Sequence, residues 1–134
     1  MTSIVVPIAE VVPQAATRAR GKEVFALIID RMGARDERPL RMVVDIRQAS
    51  ILTASFLDEL VLRKAEMPKD TTLVFWLGSE DRVKTLKEVC AARGVRCYYQ
   101  VGDDQTVRYT RRMNVPSIRV REYEGSFLDM LRAR

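Results

Sequence analysis

Apolar and polar positions change period several times along the chain, and each change marks an element. Ser3-Ile4-Val5-Val6-Pro7-Ile8 is rich in β-branched residues and predicts a first strand. Pro7 and Pro13 place it at a sheet edge, because proline cannot donate to a ladder. Thr17 precedes a predicted helix over residues 20–32, where Val24, Leu27, Ile28 and Arg31 recur at helical spacing and Gly33 stops the run. Residues 40–46, Leu-Arg-Met-Val-Val-Asp-Ile, suit a strand buried on both faces. A second helix is predicted over residues 55–66, with Phe56, Leu60, Val61 and Ala65 near one face and Pro68 beyond its end. Residues 71–77 form the next apolar run, with Trp76 expected in the core.

Ser79 then stands as an N-cap, and Glu80 and Asp81 suit the positive end of a third helix. Val83, Leu86, Val89 and Cys90 make its apolar stripe, and Gly94 sits where a left-handed cap wants glycine. Residues 95–99 predict a further strand, in which Tyr98 and Tyr99 face opposite sides, one to the core and one to the surface. The order β-α-β-α-β-α-β predicts an α/β layered fold, a mixed central sheet of about four to six strands with helices packed on it. Beyond Gly102 the pattern weakens. Residues 106–109 and 117–121 alternate like edge strands, and residues 127–132 form a short final helix. The polar stretch 33–39 is a surface loop, and no repeat or linker divides the chain. A single domain over residues 1–134 is expected, with its core at about 17–100 and a C-terminal extension at 103–134.

Composition narrows the chemistry. The 134 residues are 47% apolar and 31% charged, the balance of one soluble globular domain. Histidine is absent, which removes imidazole-based triads, Cys-His dyads and His-ligated zinc from this chain. Cys90 and Cys97 are too few for a disulfide framework and read as reduced, half-buried thiols, so neither a metal nor a cofactor is expected. The N-terminus lacks the basic start and unbroken apolar run of a signal peptide, and no window approaches the roughly 20 apolar residues of a membrane span. A cytoplasmic location without membrane contact is expected. The net charge of +5 comes from 23 Lys and Arg against 18 Asp and Glu, with arginine spread along the chain. Its densest group, Arg108, Arg111, Arg112, Arg119 and Arg121, is surrounded by Asp103, Asp104, Glu122 and Glu124. That mixture reads as a solvated surface before a nucleic-acid stripe.

The most informative stretch is residues 43–60. A buried strand ends in Asp45, a loop of about seven residues follows, and hydroxyl-bearing residues then open a helix. Such a helix start gathers unpaired N–H groups and positive dipole, so it can hold an anion. This stretch resembles the STAS domain (sulphate transporter and anti-sigma factor antagonist), and is closest to a STAS-like branch of unassigned function. Asp45 matches the family's strand-terminal acid, and Thr53-Ala54-Ser55 its hydroxyl-bearing helix start. Ser55-Phe56-Leu57-Asp58-Glu59 matches the branch's Ser-Phe-x-Asp-Glu, and Thr17-Arg18-Ala19-Arg20-Gly21 is similar to its Ser-Arg-x-x-Gly opening. The similarity covers about residues 17 to 100.

The resemblance implies a regulatory domain that docks a histidine-kinase-type ATPase or an anti-sigma-like protein. It places Ser55 on the serine that partner kinases phosphorylate. The chain departs from the typical antagonists in carrying Phe56 where they have glycine, and in the acidic pair Asp58 and Glu59, which would repel a phosphate on Ser55. An arginine close in space, from Arg18, Arg20 and Arg47, is needed to offset them. Three readings of Ser55 stay open: an ordinary N-cap with Asp58 completing an approximate capping box, a phosphorylation switch, and an unmodified docking site. Asp45 reads as a strand-end acid capping nearby backbone N–H groups. An enzyme is not expected, because adjacent carboxylates on one helix turn do not face each other across a substrate. The alternative function is nucleic-acid binding through the arginine-rich C-terminal segment.

Overall fold

The computed structural model describes residues 2–8 and 14–110. The expected strand at 117–121 and final helix at 127–132 lie outside the described residues, as do Pro13, Arg111, Arg112, Arg119 and Arg121. Strands β1 (Thr2–Pro7), β3 (Leu40–Asp45), β5 (Thr71–Leu77), β6 (Tyr98–Val101) and β7 (Arg108–Tyr109) form one sheet in the order β1-β3-β5-β6-β7. The first four run parallel and β7 is antiparallel. Helices α1 (Arg18–Gly33), α2 (Ala54–Arg63) and α3 (Glu80–Arg93) connect the parallel strands. Two short strands, β2 (Gln14–Ala15) and β4 (Ile51–Leu52), pair separately. The α/β class and the mixed sheet with helices packed on it are as the pattern predicts.

Each crossover steps the same way across the sheet. Right-handed connections therefore put all three helices on one face, where α2 lies between α1 and α3. Alternate strand residues serve that face. Leu40, Met42 and Val44 of β3 and Leu73, Phe75 and Leu77 of β5 join Ile28, Phe56, Leu60 and Leu86 in one buried core. The intervening Val43 and Val74 are also buried, so β3 and β5 are covered on both sides. No described helix lies over that second face. Parallel central strands protected on both faces read as near-continuous apolar runs, which is why β3 and β5 were plain in the sequence.

Several details differ from the pattern. The last parallel strand starts three residues later than predicted, because Gly94 adopts φ +66 and the chain needs residues 95–97 to return to the sheet. Tyr99 is buried and Tyr98 exposed, as alternation requires. Trp76, expected in the core, points to the helix-free face and is half-buried. Both thiols are fully buried rather than half-buried, Cys90 on the inner stripe of α3 and Cys97 in the same core. Ala65 is exposed, since α2 gives way to a 3-10 turn at Lys64–Glu66 that rotates it off the apolar face.

Helices α1 and α2 approach closely at Gly21. A Cβ there would stand 2.8 Å from the Glu59 Cβ and 3.1 Å from the Phe56 carbonyl oxygen. Gly21→Ala should therefore push the two helices apart and cost on the order of 1–3 kcal/mol in urea unfolding. Gly33→Ala, where the new Cβ meets nothing within 4 Å, should be neutral or slightly stabilising and serves as the control.

Candidate functional site

The site begins with the small β2–β4 ladder, which sets Ala15 beside Leu52 and so brings the starts of α1 and α2 side by side. The Thr53 N–H donates to the Ala15 carbonyl at 2.9 Å, and the Thr53 hydroxyl donates to the Ala16 carbonyl at 2.9 Å. The same hydroxyl accepts the Phe56 N–H at 3.3 Å. These bonds hold Thr53 extended, at φ −115 and ψ 159, and make it the N-cap of α2. The N-cap reading of Ser55 is thereby corrected. Ser55 lies inside the first turn, half-buried, and neither α1 nor α2 has an acid in its first turn. Phe56, standing where the typical antagonists have glycine, is fully buried in the core. Helix α1 starts at Arg18, two residues earlier than predicted, because Thr17 caps it by accepting the Arg20 N–H at 3.1 Å.

One turn further along α2 stand two buried carboxylates, Asp58 (3% exposed) and Glu59 (4%). Arg93 of α3 grips Asp58 in a fork, Nε to Oδ1 and Nη2 to Oδ2, both at 2.7 Å. Arg18 of α1 reaches the same Oδ2 at 2.7 Å and lies 3.7 Å from Glu59 Oε2. Arg63 of α2 bonds Glu59 Oε1 at 2.7 Å and Glu66 at 3.3 Å. The capping-box reading of Asp58 is corrected as well, since its oxygens are spent on arginines of the flanking helices. Burial pushes the Asp58 carboxyl up, but the bonds from Arg93 and Arg18 outweigh burial and hold it below the usual carboxylate range. The Arg93 guanidinium is raised in turn by its bond to Asp58.

The structure thus joins the two segments that carry the resemblance. Arg18 and Gly21 from one meet Phe56, Asp58 and Glu59 from the other. Two residues of the cluster escaped the sequence reading. Arg63 was legible in principle as the i+4 partner of Glu59. Arg93 is 35 residues from Asp58 in the chain and left no local signal.

The other predicted residues do not join this cluster. Arg20 pairs with Glu23 on the surface at 2.8 Å. Asp45 accepts the Arg47 backbone N–H at 3.1 Å and its guanidinium at 3.0 and 2.9 Å, the local role read from the strand end. Burial pushes the Asp45 carboxyl up, while these Arg47 bonds outweigh it and hold the group below the ordinary range. The Arg47 guanidinium lies 3.5 Å over the Trp76 ring, whose Nε1–H donates to the Gly102 carbonyl at 2.9 Å. Arg82 of α3 ties down the loop after β3 by donating to the carbonyls of Ile46 (3.3 Å) and Ala49 (2.8 Å). Among the described residues no group of three or more His, Cys, Asp or Glu is placed to hold a metal ion.

The cap assignment predicts that Thr53→Ala costs about 1 kcal/mol in denaturant unfolding, while Ser55→Ala stays within about 0.5 kcal/mol of the parent. The cluster predicts an acid limb. Asp58 titrates lower in the folded chain than unfolded, so its stabilisation is complete above an unfolded pKa of about 3.9 and is lost as pH falls through the lowered folded value. Asp58→Asn should flatten that limb in unfolding measured from pH 5 downward, and should cost about 3 kcal/mol at neutral pH by leaving Arg93 and Arg18 without their acceptor. Comparison of the chain with family models, with curated proteins and with solved structures gives no match.

Proposed function

We propose that this chain is a non-enzymatic regulatory domain of the cytoplasm that docks a partner protein through the start of α2, with Ser55 as the switched residue. The STAS-like resemblance supplies the partner class, a histidine-kinase-type ATPase or an anti-sigma-like protein. One observation carries the reading: the two sequence segments behind the resemblance, far apart in the chain, meet around Asp58 and Glu59.

Ser55 suits such a role by position. It is partly accessible, on a helix whose following residues Phe56 and Leu57 are fully buried, so a partner reads it on a rigid support. The helix start offers positive dipole without a competing first-turn acid. Asp58 and Glu59, which in sequence argue against a phosphate, are each already held by arginine. A phosphate would add about −1.5 to −2 charge at the docking surface and weaken or redirect the complex.

Affinity purification of the tagged chain from its host, with mass spectrometry of the co-eluting proteins and of the Ser55 peptide, tests the reading. An ATPase or kinase partner is expected. Against that partner, Ser55→Asp should change affinity tenfold or more, on the order of 1.4 kcal/mol, while its unfolding midpoint stays close to that of Ser55→Ala. Equal affinity of both variants removes the switch. Recovery of nucleic acid without a protein partner moves the function to the arginine-rich C-terminal segment.

A further inference from the structure

Building on the reading of Ser55 as the switched residue, we propose that Arg18 receives the negative charge placed on Ser55, leaving Asp58 and Glu59 to their other arginines. The argument starts from how the ion pairs are shared. Asp58 keeps a two-bond fork from Arg93, and Glu59 keeps a 2.7 Å bond from Arg63. Among the described residues Arg18 alone touches both carboxylates, at 2.7 and 3.7 Å. Its departure therefore leaves Asp58 its two-bond fork and Glu59 its 2.7 Å bond. Removing Arg93 would leave Asp58 one contact, and Arg63 is committed to Glu59 and Glu66 further along the helix. Arg18 is also the most exposed of the three, with 40% of its side chain accessible.

Its place is right for the exchange. Asp58 follows Ser55 by three residues, so the two lie on one face of α2 about 5–6 Å apart at Cβ. Helical side chains lean toward the N-terminus, which sets the Asp58 carboxylate, and the Arg18 guanidinium bonded to it, over the turn that carries Ser55. From the other side, the Thr53 hydroxyl is bonded to the carbonyl of Ala16, two residues before Arg18. Arg18 is thus tethered beside the helix start whichever anion it holds.

In the modification, the bond between the γ-phosphorus of a nucleoside triphosphate and its bridging oxygen breaks. A P–O bond to Ser55 Oγ forms, the nucleoside diphosphate leaves, and the hydroxyl proton passes to the partner kinase's base. Arg18 then turns from a carboxylate to a doubly charged phosphate within reach, while the carboxylates remain neutralised. The switch changes the surface charge without opening the core.

The test uses the full chain with phosphoserine incorporated at position 55 during translation, read by phosphorus NMR across pH. The second pKa of the phosphate should lie below the value of about 6 found for free phosphoserine. It should rise toward that value in Arg18→Gln, recover in part in Arg18→Lys, and stay unmoved in Arg20→Gln, whose guanidinium is paired with Glu23. The same phosphate titration with and without Arg18, or an equal shift on Arg20→Gln, overturns the proposal. Its failure is separable from that of the switch reading. Host-phosphorylated Ser55 that alters docking with a titration indifferent to Arg18 rejects only the role of Arg18. A titration that depends on Arg18, together with a partner indifferent to phosphoserine 55, supports that role and rejects the switch.

Discussion

Two adjacent carboxylates buried on the middle helix are the constraint on which the helical layer depends. Ionised groups lose several kcal/mol of solvation on burial, so Asp58 and Glu59 are tolerable only if cations follow them inside. The cations come from all three helices: Arg18 from α1, Arg63 from α2 itself and Arg93 from α3. An apolar contact of the same volume is non-directional and tolerates a small shift between the helices. A forked guanidinium–carboxylate bond does not, because both bonds are lost together when the planes shift. The absence of a side chain at Gly21 follows from the same demand, since α1 must lie close enough for Arg18 to reach acids anchored on α2.

The sheet below explains why the layer can carry that cost. β3 and β5 are covered on both faces and supply Leu40, Met42, Val44, Leu73, Phe75 and Leu77 to one core with the helices. At about 25 cal/mol per Å² of apolar area, this burial is the dominant favourable contribution to the fold. The ionic cluster sits at the helix–helix seam, outside that apolar contact, and its arginines keep part of their surface in water. Stability and helix register are thus supplied by different parts of the molecule.

The same division decides what was legible in the sequence. Elements whose residues are fixed by burial appeared directly: the apolar runs of β3 and β5, the stripe of α3 through Val83, Leu86, Val89 and Cys90, and Gly94 at its left-handed end. β2 and β4 were invisible, because two-residue strands carry no period. Without them the true cap of α2 was also hidden. Thr53 and Ser55 are both good capping residues, and the choice fell to Thr53 through bonds to Ala15 and Ala16, which lie far away in the chain. Trp76 was misplaced for a similar reason. Its place on the helix-free face is fixed by strand alternation, and its partners Arg47 and Gly102 come from the loops after β3 and β6. The motif residues of the candidate site were legible, and so was the need for an arginine beside Asp58 and Glu59, but not which: of Arg18, Arg20 and Arg47 only Arg18 reaches them, and Arg93 comes from α3, 35 residues from Asp58 in the chain.

That placement bears on how such a site can be regulated. Exposed acids near Ser55 would oppose any added negative charge, and the penalty would fall on the modification itself. Buried acids held by arginine oppose it less, because Asp58 keeps the Arg93 fork and Glu59 the Arg63 bond without counting Arg18. Where one cation is shared between two acids that each have another arginine, it can turn to an anion at the rim, whereas a single dedicated cation could do so only by breaking a buried pair. The shared cation is Arg18 at the start of α1, and the Thr53 hydroxyl ties that start to the start of α2 through the Ala16 carbonyl. On the proposed role of Arg18, the carboxylates that oppose a phosphate in the sequence are what hold its counter-ion near the start of α2.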